Sequence, residues 1–466
     1  MLSTPQQFRS AQSRSAERLI PFAASLLMLL AVVPCTTAQT AAPKNARDPG
    51  VREDRVGAGG AIAGLTAAQQ SFFSAGLMTF RQLAAVTGSI PNTRKGLGPT
   101  FNAQSCAQCH SQPAIGGSSP AVNPQIGAAI AQGAVNQIPS FISARGPVRV
   151  PRLPYSADML QPDGSVHNLF TITGRKDAPG CKLAQPNFQQ AAESGNLIFR
   201  IPTPVFGGGL IESIPDSALL ANMNSDAARK RSLGIAGHPN VSANDTTITR
   251  FGWKAQNKSL EIAAGEADNL EIGVTNELFP NELDGTPGCQ FNGTPEDATT
   301  LNPDGSILPS DLVRFATFMR LLDQPRPAPA TPSTTHGGQV FAQIGCALCH
   351  TPSFTTSESS VAALSNIQAN LFSDLLLHHM GPSLADNVAQ GRARGDEFRT
   401  APLWGLGQRI FFLHDGRTTD LLQAIENHSR RGDHRYPDSE ANAVIDTFRK
   451  LSGTDKQDLL NFLRSL

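Results

Sequence analysis

Two pentapeptides in this 466-residue chain carry one specific chemistry in their spacing: Cys106-Ala107-Gln108-Cys109-His110 and Cys346-Ala347-Leu348-Cys349-His350. Cys-x-x-Cys-His is the attachment pattern of c-type haem. The two thiols form thioethers with the porphyrin, and the adjacent His binds the iron from the proximal side. Positions i, i+3 and i+4 share one face of a helical turn, so both sulfurs and the imidazole reach one macrocycle. The alternative for each copy is a zinc or redox Cys-x-x-Cys, but no second Cys pair lies near either copy to complete a zinc site. Two covalently bound haem c groups, with His110 and His350 on the irons, are therefore expected.

The sixth position on the iron then decides the behaviour. A strong ligand there makes an electron carrier, and an open position makes a catalyst. Between Ser111 and Val166 there is no His, and the only Met is Met159. Met159 and His167 remain as groups that would have to swing in; the expectation is a five-coordinate first iron that binds peroxide. Around the second motif the supply is rich: His378, His379, Met380, His414, His428 and His434. Spacing leaves all six open.

The elements that position these groups come next. The length permits two or three domains. Formal net charge is zero, with no strong basic block, so nucleic acid is not an expected partner. Gly (41) and Pro (34) are abundant and charged residues few, which suits a loop-rich fold wrapped around cofactors.

Arg9, Arg14 and Arg18, the apolar run 19–33 and the small residues Thr36-Thr37-Ala38 read as a secretory signal peptide over residues 1–38. A lipoprotein with Cys35 lipidated is the alternative, disfavoured by Pro34 before it. The run is short for a membrane span, so no stable span is expected after cleavage. Cys181 and Cys289 are left over, an even pair in an exported chain, and a disulfide between them is expected. Two separate buried thiols are the alternative. Haem c attachment and the disulfide both place the protein in the periplasm.

Residues 39–60 read as a flexible tail. Thr66 caps a helix running to about Val86, with Phe72, Phe73, Leu77, Phe80 and Leu83 on its apolar stripe. Residues 113 to about 308 alternate short β-type runs (169–173 and 197–202) with Gly, Pro and Asn turns, and read as an insertion. Residues 326–333 form a Pro-rich linker. The expected fold is mainly α, with two cytochrome c-like haem domains: 61–325, which holds the loop- and β-rich insertion, and 334–466, which closes with helices near 438–451 and 454–466.

The run Asp396-Glu397-Phe398-Arg399-Thr400-Ala401-Pro402-Leu403-Trp404-Gly405-Leu406-Gly407, followed by His414-Asp415-Gly416-Arg417, resembles the di-haem oxidoreductase family of peroxidases. Its relatives are the bacterial di-haem cytochrome c peroxidases and the methylamine-utilisation di-haem enzyme. Gly96-Leu97-Gly98-Pro99, Phe101-Asn102, 374–378 and Met380-Gly381-Pro382 are similar to its signatures. No free redox Cys pair supports a thiol-based reaction. The resemblance implies a sixth ligand for the second haem at His428, where those peroxidases carry Met, with Met380 the runner-up. It places His414 behind the ligands, or as an ordinary loop His, and Asp415 and Arg417 near the propionates. It implies Glu212, at the end of Phe206-Gly207-Gly208-Gly209-Leu210-Ile211-Glu212, as acid–base group over the open iron; a helix-start or ion-paired Glu is the alternative. Arg200 would stabilise negative charge on the peroxide or form a structural ion pair. Trp253 or Trp404 would relay electrons between haems, or simply fill the core. The relatives' calcium ion is an open expectation, since no Asp-rich loop is present. The implied function is peroxide reduction at the first haem, with electrons passed through the second from a small cytochrome c or cupredoxin. A di-haem carrier without turnover, and an oxidase of a protein or organic donor, are the alternatives.

Overall fold

A Gly and a Phe four residues apart shape the helix ahead of each haem motif. The computed structural model describes residues 45–54 and 57–466. The expected signal peptide, its Cys35 and residues 39–44 lie outside the described residues.

Thr66 opens helix α1 (Ala67–Arg81) with a capping box: its hydroxyl accepts from Gln69 N, and the Gln69 side chain accepts from Thr66 N. α1 ends at Arg81, earlier than the stripe suggested. Phe73 and Phe80 are buried, but Phe72 is 61% exposed, so the stripe is narrower than expected. In the chain order used below follow α2 (Gly208–Ser213), α3 (Leu260–Ala267), α4 (Asp311–Leu321), α5 (Pro332–Ile344), α6 (Leu421–Glu426), α7 (Asn442–Lys450) and α8 (Gly453–Ser465).

Two helix crossings repeat one construction. On α1, Gly76 lies against Arg314 O and the Phe318 Cβ of α4. On α5, Gly337 lies against Asp458 O and the Phe462 Cβ of α8. In both places a Cβ would overlap the partner backbone, so only glycine lets the helices close. Four residues on from each Gly, one turn further along the same face, stand Phe80 and Phe341. Phe80 meets His110 with ring centroids 6.1 Å apart, and Phe341 meets His350 at 6.3 Å. Phe318 and Phe462 complete the two aromatic contacts at 4.8 and 5.4 Å. Each haem motif thus rests on its own Gly–Phe helix crossing.

Strands are pairs of two or three residues. Val150–Arg152 pairs with Ile198–Arg200, and Leu377–His379 with Glu397–Arg399, both antiparallel. The segment 113–308 holds several such pairs among short helices, as its alternation of β-type runs and turns suggested. Cys181 and Cys289 form the expected disulfide across it. Its wall is a cluster that includes Phe101, Phe170, Ile172 and both cysteines. The largest core draws on both sides of the Pro-rich stretch, joining Phe73, Phe80, Phe315 and Phe318 to Phe354, Leu371 and Trp404.

The described part of the expected flexible tail is tied down. Asp48 pairs with Arg464 (2.6 Å), both nearly buried, and accepts from Leu421 N, while Arg52 N donates to Gly407 O. An ion pair held at both ends orders a stretch whose composition carries no apolar pattern.

Candidate functional site

Both Cys-x-x-Cys-His segments close one tight turn. His110 N donates to Cys106 O (3.0 Å) and His350 N to Cys346 O (2.9 Å), which turns the sulfurs and imidazole of each motif into one cavity. None of the four motif cysteines forms a disulfide, and burial pushes Cys106 and Cys346 up to about 12 and raises Cys109 as well. A redox dithiol needs a lowered thiol pKa, the opposite of the direction at these three. Nor does zinc: among the described residues the one close group of metal-type donors is Cys349, Asp374 and His378, short of a structural zinc set.

The second cavity is the more closed in chemistry. It is lined by Phe341, Leu403, Phe412, Val444 and Leu463, and by four histidines, of which His350 and His428 are tied by one ring nitrogen to a backbone carbonyl. His350 Nδ1 donates to Phe372 O (3.0 Å) and His428 Nδ1 to Ala424 O (2.8 Å). This leaves each Nε2 free and fixes the ring, the arrangement of a metal-ligating His. Burial holds His350 down to about 4 and lowers His428 as well, which disfavours the charged imidazolium at both. Asp420 caps α6, and His428 follows that helix directly. Met380, His378 and His414 also line this cavity. His378 is held between Asp374 (3.0 Å) and Glu440 (2.7 Å), and His379 between Asp396 (2.9 Å) and Glu397 (3.2 Å). His414 stacks on Phe398 at 4.2 Å. His434 is exposed. Asp415 pairs with Arg417 at 2.7 Å, near the surface.

The first cavity differs on its far side. His110 Nδ1 donates to Gly117 O (3.0 Å), and burial lowers its pKa to about 4. The remaining lining includes no second His, and its one Met, Met319, sits on α4 among the phenylalanines that pack on Phe80. His167 pairs with Asp163 (2.8 Å) and Met159 is 42% exposed; neither lines the cavity.

Glu212 does not line it either. Its carboxylate takes Arg320 Nε at 2.6 Å and accepts from Leu260 N at 2.9 Å, joining α2, α3 and α4. The Gly-rich run before it brings α2 against α4, where Gly209 touches Arg320 O, and this turns Glu212 towards Arg320 and away from the haem motif. Here the ion-paired alternative describes the geometry. Arg200 does line the cavity, but its guanidinium is engaged by Asp386 (2.6 Å) and Gln390 (2.6 Å).

Two carboxylates line this cavity, Glu266 and Glu271, and sequence reasoning missed both; Glu266 is held by Asn257, and Glu271 is the more deeply buried. Glu271 stands in a π-helical turn, Asp268–Ile272, that follows α3. Such turns interrupt helices mostly at functional sites. Asn102 Nδ2 donates to Glu271 Oε2 at 2.8 Å, and Asn102 and Ala103 N both donate to Glu271 O. Burial raises its pKa to about 7, opposed by Asn102 and Arg152 and assisted by Glu266. Apolar neighbours on both sides, Leu270 and Ile272, were the signal available in the sequence.

Trp253 lines both cavities, donating Nε1 to Ile201 O (2.8 Å) and meeting His414 edge-on at 6.3 Å. Trp404 is buried in the large core and lines neither.

Do these cavities fit haem? Three buried arginines along them have no carboxylate partner among the described residues: Arg152 at the first, Arg409 at the second, Arg399 at both. The Nε atoms of Arg152 and Arg399 are buried without an acceptor. A buried guanidinium without an anion is costly, and the carboxylates of haem are anions of the required kind. Apolar walls, a motif turn with His, and unpaired guanidiniums together suit the group. Among the described residues no cluster of three carboxylates is close enough to suit calcium.

Two cavities, each built on a Cys-x-x-Cys-His turn and lined differently beyond it, suit a di-haem oxidoreductase. The chain belongs to the family described as "Di-haem oxidoreductase, putative peroxidase", matched over residues 162–466. Among solved structures it is similar to the diheme peroxidase BthA from Burkholderia thailandensis E264, with 14% identity, TM-score 0.38, and 91% of this chain and 95% of that one covered. A MauG-like protein associated with microbial copper homeostasis matches at 20% identity and TM-score 0.24, over 34% of this chain and 52% of that one. The chain thus spans about half the length of that relative. No curated protein matches.

Proposed function

We propose that the chain is a periplasmic di-haem c-type peroxidase, reducing hydrogen peroxide in the cavity of His110 with electrons that enter through the cavity of His350. Cys106, Cys109 and His110 would hold one haem and Cys346, Cys349 and His350 the other; bound there, the first would supply the redox-active iron for peroxide cleavage. Glu271 takes a proton from one peroxide oxygen and returns it to the other, which leaves as water. A pKa near 7 suits a group that must accept and donate in one turnover. Glu271 thus takes the role first expected of Glu212. Arg200, committed to Asp386, orients the cavity wall. Trp253, common to both cavities, is the electron relay. Two electrons from a small cytochrome c or cupredoxin and two protons complete the conversion of one peroxide to two waters.

The observation that supports this reading is an asymmetry: a second imidazole with a free nitrogen, His428, lines the cavity of His350, and among the described residues no second His lines that of His110. The two helix crossings support two cytochrome c-like units on either side of 326–333. The disulfide supports an oxidising compartment. No described helix is long and apolar enough to cross a membrane.

The test is the spin state of each iron in the haem-loaded protein, followed by peroxide addition. A mixed high-spin and low-spin spectrum, with a Soret shift on peroxide, is expected. Two low-spin irons that ignore peroxide would leave an electron carrier.

A further inference from the structure

Arg399 is the one charged residue that lines both cavities. It closes the strand Glu397–Arg399, and its side chain is buried. The sole side-chain hydrogen bond of Arg399 among the described residues runs from Nη1 to Arg250 O (3.1 Å); Nε, also buried, has no acceptor there. Among the described residues no carboxylate pairs with it. The neighbouring charge is of the same sign: Arg409, buried on the wall of the second cavity, reaches only Pro402 O at 3.4 Å. Burial, and for Arg399 the charge of Arg409, lowers both to about 10. Contrast Arg94 and Arg175, which are just as buried but hold Asp268 and Asp177. Two adjacent buried cations without an anion are unfavourable, and the fold keeps them where two cavities meet.

We propose that Arg399 is an electrostatic bridge between the haems, its guanidinium fork taking a propionate carboxylate from each, with Arg409 as a second clamp on the haem of the His350 cavity alone. This rests on the di-haem reading above. Arg399 is a positioning residue, not a catalytic one: it touches neither peroxide nor iron.

A guanidinium beside a haem favours the ferrous state, because reduction removes one positive charge from the iron. Shared between two haems, it acts on both. Five N–H donors in a planar fork allow two carboxylates at once, which an ammonium does not reproduce.

The experiment is a spectroelectrochemical titration of the loaded full chain, with Arg399→Gln, Arg399→Lys and Arg409→Gln variants. Covalent haem is counted first; a wild-type protein without two attached haems would reject the di-haem reading, not the bridge. With two haems present, Arg399→Gln should make reduction of both about tenfold less favourable, or about 59 mV each for one electron. Arg409→Gln should lower only the haem of the His350 cavity. Arg399→Lys should fall between wild type and Gln at both haems, and it carries the test if the Gln variant does not load. A shift at one haem only, or at neither, in whichever Arg399 variant loads, overturns the bridge.

Discussion

The two haem cavities are built on the same foundation and finished differently. Each rests on a helix crossing closed by glycine, Gly76 against Arg314 O and Gly337 against Asp458 O, with a Phe one turn on that touches the motif His. The far sides diverge. The His350 cavity receives His428, tied by Nδ1 to a carbonyl so that its other nitrogen is free. The His110 cavity receives Glu271, tied to Asn102. One scaffold therefore presents an imidazole in one cavity and a carboxylate in the other, each brought in by a distant segment. The proximal side is a local matter of motif and crossing. The distal side is a long-range one.

The largest effect that would break this comparison is at Glu271. Glu271→Gln keeps the shape and the contact with Asn102 but cannot take a proton. Peroxide turnover should fall by about 10²–10⁴-fold, measured by stopped-flow on the loaded protein. The wild-type rate should rise with pH through about 7, since only the carboxylate accepts a proton, and the variant should lose that step. The sign for stability is opposite. A carboxyl raised from 4.5 to about 7 in the folded state contributes stability below pH 4.5 that is lost as pH rises through 7. Urea titrations of wild type and Glu271→Gln across that window should show the wild type losing more.

The next test concerns the closed side. His428→Met should raise the potential of that haem by a sizeable part of the about 0.8 V range that axial ligands span. The other haem should change little. An unchanged potential would mean that His428 is not the ligand.

Smaller in scale, Cys181→Ser with Cys289→Ser should cost about 2–5 kcal/mol in chemical unfolding. The loss should fall on the part of the chain that walls the His110 cavity. Smallest, Glu212→Gln breaks the Arg320 pair and should cost about 1–3 kcal/mol of stability. It should leave turnover far nearer wild type than Glu271→Gln does. Equal losses of turnover from the two variants would return the acid–base role to Glu212.

What was legible in the sequence follows the same division. The haem motifs could be read because thioether chemistry demands those residue types at that spacing. The disulfide followed from counting cysteines once the motifs were removed. Thr66 marked the start of α1 because an N-cap is a local device. Glu212 and Glu271 were not separable, since both are carboxylates beside apolar residues. Arg320, more than 100 residues on, engages one, and a π-helical turn aims the other. The unpaired state of Arg399 and Arg409 was invisible for a related reason: a missing partner is a property of the whole fold. Asp48 looked like part of a loose tail because Arg464 lies at the far end of the chain.

The two crossings also differ in when they become possible. Gly337 meets a helix that starts at residue 453, but Gly76 must wait for one that starts at residue 311, on the far side of the disulfide-bridged segment. A chain emerging from its N-terminus therefore exposes Cys106 and Cys109 for a long interval before their domain is able to close. During that interval Cys181 is already on the chain while its partner Cys289 and the closing helix are still to come. The His110 unit is thus the one whose completion depends on the order in which its cysteines find their partners.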